Sequence, residues 1–343
     1  MRSILGRGPM HHAPGLKTTL KRGALLAAAN WPLVIIQFIA ETVFKLALAV
    51  PVIGGVLLVG LLLGGDVQHL LEGDLRERVT GVAAGLLAAP AALVMFLLAF
   101  GIVLVGGSAL LFLVKGGTVT VLASSEWSAG DIELGPIHAD AVTHAGRFTI
   151  ERFLAGCRHL FTRYLRLGLT LIVVYGVTGV AYLAIVLGGY RLAANPGVFV
   201  GWTVIAKLFS GALLVWITLI NLFYLLVQMI IAVDDIGVRT AFGRVFHFLG
   251  GAFREVAGVF GVVLAMVLLA TIVSLIAATG FGLIAFVPFA GVLVLPLQLV
   301  AWLLRGLVFE YIGLMALGAY LARYRGFKGH AASSTDPRWI RTA

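Results

Sequence analysis

The side chains that could do chemistry in this sequence are few, and the first group lies in the polar segment "EWSAGDIELGPIHADAVTHAG". Its metal-competent members are Glu126, Asp131, Glu133, His138, Asp140 and His144. Carboxylates and imidazoles can bind metal ions, but this spacing matches no recognised metal site, and such a polar segment is usually just solvated. We therefore predict no metal and no cofactor.

Motifs for enzymatic catalysis are missing from the sequence. It has no HExxH, CxxC or GxSxG, and no Gly-rich loop followed by Lys and Ser/Thr that could hold a phosphate. The single cysteine, Cys157, excludes an intrachain disulfide. We predict no catalytic residue and a protein that is not an enzyme.

The second group of reactive side chains consists of charges inside long apolar runs. They are Glu41, Lys45, Lys207, Arg305 and Glu310. A charge facing lipid costs on the order of 3 kcal/mol or more, so such residues pair with one another or line a polar path. Ion pairing would join Glu41 to Lys45 and Glu310 to Lys207 or Arg305. A polar cavity would carry one excess positive charge, which suits an anionic solute or a lipid headgroup.

The elements that position these charges are predicted to be transmembrane helices. Of the 343 residues 61% are hydrophobic and 12% are charged, and the mean hydropathy is +1.06. Helical spans of about 20 apolar residues fit six runs. The runs are 24–65, 81–114, 167–190, 199–233, 256–282 and 284–324. The fold class is thus all-α, a polytopic integral membrane protein, although the two long first runs leave eight spans open.

Basic residues predict the orientation, because cytoplasmic loops are enriched in Lys and Arg. Both terminal segments, 1–23 and 327–343, are basic, and the segments 115–166 and 234–255 hold six and three further Lys or Arg residues. These two segments, including the loop 115–147, are therefore predicted to be cytoplasmic. The acidic segment "DVQHLLEGDLRERV" is predicted to be external, which favours six spans over eight. We expect a multi-pass protein of the cell (inner) membrane, with the N- and C-termini in the cytoplasm.

Two cytoplasmic segments, 150–166 and 238–254, have apolar residues on one helical face and bases on the other. The basic residues predicted to face lipid headgroups are Arg152, Arg158, Arg163, Arg166, Arg239, Arg244 and Arg254. Asp235 is predicted to be the N-cap of the second helix. The bases are not interleaved with stacking aromatic residues, so we predict anionic phospholipid headgroups as partners and no nucleic acid.

The two amphipathic segments also indicate an internal repeat. A shift of 88 residues superposes His159 on His247 and Arg166 on Arg254, and a third copy is indicated near Leu16 and Leu20. The transmembrane domain 24–326 would then contain three units of amphipathic helix plus hairpin. Their approximate bounds are 14–114, 148–234 and 235–326.

The segment "LVQMIIAVDDIGVRTAFGRVFHFLGGAFREVAGVFGVV" resembles the cytoplasmic return of a broad group of prokaryotic polytopic membrane proteins of unknown function. That group includes the membrane domain fused to some glycerophosphodiester phosphodiesterases. The shared positions are Asp235, Gly237, Ala241 and Arg244. The resemblance implies a six-helix membrane domain and no catalytic residue. The soluble phosphodiesterase domain is not in this sequence, so its activity is not implied.

Two functions are compatible with these features. The first is a structural, scaffolding or lipid-interacting membrane protein whose intramembrane charges form ion pairs. The alternative is a transporter or lipid-handling protein with a charged intramembrane cavity, in which helices are broken at Pro51, Pro90, Pro288 and Pro296. The charges of that cavity would be Glu41, Lys45, Lys207, Arg305 and Glu310. The sequence leaves open whether the chain forms a homo-oligomer or binds another protein.

Overall fold

The protein is described by a computed structural model over residues 15–62, 90–134, 139–192, 196–285 and 290–334. In chain order the helices are α1 (Leu16–Ala29), α2 (Trp31–Leu62), α3 (Pro90–Ser128), α4 (Ala139–Ala145), α5 (Ile150–Leu192), α6 (Pro196–Asp234), α7 (Val238–Ala285) and α8 (Ala290–Ser334). These ranges contain no β-strand. Six helices, α2, α3 and α5 to α8, are long and apolar enough to cross a membrane. The predicted all-α class of a multi-pass membrane protein is confirmed.

The chain divides into two compact units. The smaller unit, residues 36–115, contains most of α2 and the first part of α3. In it the ring of Phe44 lies against the backbone of Gly107, and the ring of Phe96 lies against Gly55. The two contacts run in opposite order along the two helices. Together they define an antiparallel hairpin in which each ring fills the space that a glycine leaves.

The larger unit combines residues up to 35 with those from 116 onward. Its α5–α6 hairpin is held by a seam of interhelical hydrogen bonds. Tyr182 Oη and Ser210 Oγ are 2.7 Å apart, Tyr175 Oη donates to Asn221 Oδ1 at 2.7 Å, and Tyr164 Oη donates to the Gln228 carbonyl at 2.8 Å. Such bonds join helices in lipid, where burying apolar surface gives little drive for association.

Close helix crossings in the larger unit depend on glycine. A Cβ atom on Gly23 of α1 would lie 2.3 Å from the Met315 carbonyl oxygen of α8, and one on Gly318 would lie 3.1 Å from the Gly23 Cα. The two backbones therefore touch with no side chain between them. At a second crossing, between the end of α3 and the start of α5, Gly117 faces Cys157 and Gly156 faces Thr120.

The structure changes the predicted borders of several elements. Of the predicted cytoplasmic loop 115–147, residues up to Ser128 belong to α3, and Ala139–Ala145 form the short α4. The amphipathic segment that starts at Ile150 is continuous with its span in α5. On its apolar face Phe153, Cys157, Leu160 and Tyr164 are buried against protein, whereas Ile150 and Leu154 are exposed. Part of this face is therefore a packing surface within the protein.

Two of the four prolines that were predicted to break helices lie inside continuous helices. Pro51 and Pro296 lie inside α2 and α8, and Pro90 begins α3. The backbone of α7 instead leaves helical geometry at Ala252, with φ −129° and ψ 27°, directly after Gly250 and Gly251. Tandem glycines are a known cause of helix kinks. Pro288 and the predicted external segment 66–79 lie outside the described residues.

The α1–α8 crossing yields a prediction about stability. Gly23→Ala should destabilise the protein by about 1–3 kcal/mol, because the new methyl group has no space between the backbones. Gly313→Ala on α8 is the matched control, since nothing lies within 4 Å of its Cβ position. The measurement is thermal unfolding of both variants in the same detergent. Equal midpoints for the two variants would contradict the close crossing.

Candidate functional site

The predicted intramembrane charges fall into both units. In the smaller unit Lys45 Nζ donates to Glu41 Oε2 at 3.0 Å, four residues apart on α2, as the ion-pair interpretation expects. In the larger unit Lys207 of α6 is exposed, and Arg305 of α8 lies 5.7 Å from the Phe309 ring centroid. Because the five residues belong to different units, their meeting in one cluster stays a prediction.

The most developed polar site lies elsewhere, around Arg22 of α1. The Nε of Arg22 donates to both carboxylate oxygens of Glu126, at 2.9 and 2.8 Å, and its Nη1 donates to Glu133 Oε2 at 2.6 Å. Nη1 also donates to the Gly130 carbonyl at 2.6 Å, and Nη2 to the Glu126 carbonyl at 3.2 Å. Arg22 is 7% exposed and Glu126 is 3% exposed. This is a buried cation with two carboxylate partners.

A turn after α3 brings the second carboxylate to Arg22. Gly130 has φ +60°, a left-handed conformation that glycine adopts without steric cost, two residues after α3 ends at Ser128. The chain then folds back over α1. There Lys21 Nζ donates to the Glu133 carbonyl at 2.9 Å, while Glu133 itself reaches Arg22.

Two opposing effects act on the Arg22 guanidinium. Burial disfavours its charged form and by itself would lower the pKa, but the hydrogen bonds and charges of Glu126 and Glu133 outweigh burial, so the pKa of Arg22 is raised. Arg22 therefore stays charged throughout the physiological range. A guanidinium this strongly held cannot exchange protons with a substrate, so its role is to join helices.

Asn30 is a second buried polar group of the same region. It lies between α1 and α2, is fully buried, and its Nδ2 donates to the Leu26 carbonyl at 3.0 Å. Its Oδ1 accepts from Ser125 Oγ at 3.2 Å and from the Arg147 backbone N–H at 3.0 Å. The amide thus fixes the end of α1 to α3 and to the segment that leads into α5.

The tandem aspartates at the end of α6, Asp234 and Asp235, tie the remaining helices together. Asp234, whose side chain is 1% exposed, accepts hydrogen bonds from Tyr324 Oη at 2.6 Å and Lys328 Nζ at 2.8 Å of α8, and from Arg244 of α7. Asp235 has φ 52° and accepts from His159 Nε2 at 2.7 Å and from Arg163, both on α5. It therefore does not cap α7 as predicted, because its carboxylate is bonded to α5.

Arginine side chains of α8 complete this charged region. Arg323, which is 6% exposed, donates from Nη1 to Glu255 Oε2 of α7 at 3.1 Å. Arg325 donates from Nη1 to the Glu126 carbonyl at 2.9 Å and lies 4.8 Å from the Trp127 ring centroid. We call the groups around Arg22, Asn30, Asp234, Asp235 and Glu255 the charged base of the larger unit.

The seven arginines predicted to face lipid headgroups divide into two sets. Arg163 and Arg244 are bonded to Asp235 and Asp234, and Arg152 Nη1 donates to the Arg147 carbonyl at 2.6 Å. The other four side chains are exposed and make no ion pair within the described part of the chain. They are Arg158, Arg166, Arg239 and Arg254. We call these four the exposed arginines.

The polar segment that was predicted to hold no metal, residues 126–144, also contributes carboxylates to the charged base. Among the described residues no group of three or more His, Cys, Asp or Glu side chains could hold a metal ion. Two of the metal-competent residues, Glu126 and Glu133, have Arg22 as their partner. His138 lies outside the described residues.

Sequence reasoning missed Arg22, Asn30 and Asp234 as structural centres. A signal for Arg22 and Asn30 was present in the sequence of α1 and the residue that follows it. Buried residues recur there at spacings of three or four: Thr19, Arg22, Gly23, Leu26 and Asn30. A single helical stripe that contains polar, small and leucine residues indicates that this face packs against polar as well as apolar groups. A solvated amphipathic helix would have placed Arg22 away from Leu26.

The Arg22 site predicts that changing the arginine costs more stability than changing one of its two carboxylate partners. Arg22→Met should lower stability by about 3–5 kcal/mol, because it leaves two buried carboxylates together. Glu126→Gln should cost less, since Arg22 keeps Glu133. Arg254→Gln, which changes an exposed arginine, is the control and should be nearly neutral. Unfolding midpoints in detergent test this order; an Arg22→Met variant as stable as the control would contradict it.

Asp235 predicts a pH dependence. Hydrogen bonds from Arg163 and then His159 lower the pKa of Asp235 below its ordinary value of 3.8. A carboxylate with a depressed pKa stabilises the folded state above the unfolded pKa and loses that effect as pH falls through the folded pKa. The stability difference between the wild type and Asp235→Asn should therefore shrink as the pH drops below 3.8.

The measurement is the thermal midpoint of both proteins from about pH 6 down to about pH 3. Asp140→Asn serves as the control, because the Asp140 side chain is exposed and makes no ion pair with a described residue. A difference between the wild type and Asp235→Asn that is independent of pH over this range would show that the carboxylate bonds do not contribute.

Comparison with protein-family models, with characterised proteins and with solved structures finds no match to this chain. The resemblance to the membrane domain of glycerophosphodiester phosphodiesterase-type proteins therefore stays a prediction.

Proposed function

We propose that this protein is a non-enzymatic, lipid-interacting scaffold of the cell membrane. In this proposal both termini lie in the cytoplasm, and the charged base lies at the cytoplasmic face. The three helix pairs α2–α3, α5–α6 and α7–α8 would be the hairpins of the three predicted repeats.

The observation that carries the proposal is the division of the arginines on α5 and α7. Each carboxylate of the charged base is bonded to an arginine or a lysine, as expected for ion pairs that tie helices together. The exposed arginines, in contrast, have no protein partner among the described residues. Arginines at the cytoplasmic surface attract anionic phospholipids, with about 1 kcal/mol for each charge near the membrane.

The alternative function, transport along a charged path, has weaker support. It requires Glu41 and Lys45 to be available to a solute, whereas each is bonded to the other at 3.0 Å. The transport alternative also expects helices broken at prolines, whereas α2 and α8 continue through Pro51 and Pro296. Scaffolding needs neither feature.

The proposal predicts a lipid preference that depends on the exposed arginines. The purified wild type should be stabilised more by dioleoylphosphatidylglycerol than by dioleoylphosphatidylcholine, and the excess should decrease at high salt because exposed charges are screened. Changing all four exposed arginines to Gln should remove most of this salt-sensitive excess. Thermal unfolding in detergent with each lipid added is the measurement.

The matched control is the double variant Arg163→Gln and Arg244→Gln. It removes the same kind of side chain from the same helices, but at positions bonded to Asp235 and Asp234. This variant should be less stable in both lipids and should keep the preference for the anionic lipid. If instead the fourfold variant keeps the full salt-sensitive preference, the exposed arginines do not contact lipid headgroups.

A further inference from the structure

A cavity of about 420 Å³ lies between the second half of α7 and the first half of α8. Apolar side chains form most of its wall, and its polar members are Ser274, Gln298 and Arg305. The volume falls within the range of small-molecule and cofactor sites. The cavity lies within two candidate membrane spans, Val238–Leu283 and Pro296–Gly329, so hydrocarbon chains surround its opening.

Small side chains create the space. Ala270, Ala277 and Ala278 on α7 and Ala301 on α8 face the cavity, where larger residues would fill it. An apolar cavity of this size holds water poorly, because a water molecule needs two to four polar partners. Its natural content in a bilayer is a hydrocarbon chain.

Arg305 makes this cavity more than an apolar gap. No carboxylate in the described part of the chain pairs with Arg305, whose guanidinium lies 5.7 Å from the centroid of the Phe309 ring. A cation–π contact partly compensates a desolvated charge, but an unpaired arginine within a membrane span still favours an anion. A guanidinium binds phosphate with two parallel hydrogen bonds, which specifies the anion by shape as well as by charge.

The depth of Arg305 fits a phospholipid headgroup. Trp302 also lines the cavity and lies three residues earlier on α8, which is about 4.5 Å along the helix. Tryptophan prefers the interface between headgroups and acyl chains. With Trp302 at that interface, Arg305 lies about one turn deeper, and its long side chain can reach back to a phosphate, while Val308 and Phe309 line the deeper part of the cavity.

We propose that this cavity binds one anionic phospholipid, with its phosphate on Arg305 and an acyl chain between α7 and α8. The Gln298 amide adds a hydrogen-bond donor at the headgroup end. Among the lining residues there is no Asp or Glu, so the cationic group of a zwitterionic headgroup has no acceptor, which favours an anionic lipid. The proposed site is separate from the exposed arginines and extends the lipid-interacting function to a defined position.

The experiment is native mass spectrometry of the full chain with added dioleoylphosphatidylglycerol, dioleoylphosphatidylcholine or sodium palmitate. The wild type should retain one phosphatidylglycerol at high salt, because a partly enclosed ion pair is screened less than a surface charge. Arg305→Gln should weaken this binding about tenfold or more. Ala277→Trp, which fills the cavity and keeps the arginine, should weaken it similarly.

Lys207→Gln is the matched control, since Lys207 is another exposed cation of a membrane span but does not line the cavity. It should bind phosphatidylglycerol as the wild type does. The proposal is overturned if Arg305→Gln and Ala277→Trp both bind like the wild type, if phosphatidylcholine binds equally well, or if equimolar palmitate displaces the phospholipid.

The fourfold variant of the exposed arginines separates this inference from the proposed function. It should retain the single salt-resistant phospholipid while losing the salt-sensitive preference. If it loses the salt-resistant lipid and Arg305→Gln does not, the cavity site fails and the cytoplasmic lipid contact stands. If Arg305→Gln loses the salt-resistant lipid while the fourfold variant keeps the salt-sensitive preference, the cavity site stands and the contact at the exposed arginines fails.

Discussion

The larger unit depends on the burial of one arginine. Arg22 gives up its hydration when α1 enters the helix assembly, and this cost is offset only if carboxylates stand at the right distance from it. Glu126 comes from α3 and Glu133 from the turn after α3, and the Glu126 backbone also accepts a bond from Arg325 of α8. Three helices must therefore be in position before any one of them is stable there, which makes the assembly cooperative.

Close backbone contact and buried charge impose this arrangement together. Gly23 follows Arg22 directly, so the residue that pairs with α3 adjoins the one that lets α1 touch α8. A shift of α1 by one residue would bring a side chain into the crossing and move the guanidinium away from Glu126. The adjacency thus fixes the register of α1 against two neighbours, and Asn30 fixes the helix end.

Whether an interaction in this fold can be predicted from the sequence depends on how far apart its partners lie along the chain. The helices and their number follow from composition and run length, because lipid forces each span to satisfy its own backbone. The Glu41–Lys45 pair, four residues apart, was also predictable. The bond between Arg22 and Glu126 spans 104 positions, and no local pattern gives that pairing. From the sequence alone, Glu126 and Glu133 were therefore predicted to belong to a solvated segment.

The cations of the larger unit fall into two groups, those that carboxylates pair and those that they do not. Cations of the charged base are matched by carboxylates from other helices, which stabilises the assembly but leaves those cations unavailable to a ligand. The exposed arginines and Arg305 lack such partners among the described residues, and we propose that lipid covers the surfaces on which they lie. Since an isolated cation in an apolar wall is costly, its retention there is best explained by an anion that the bilayer itself supplies.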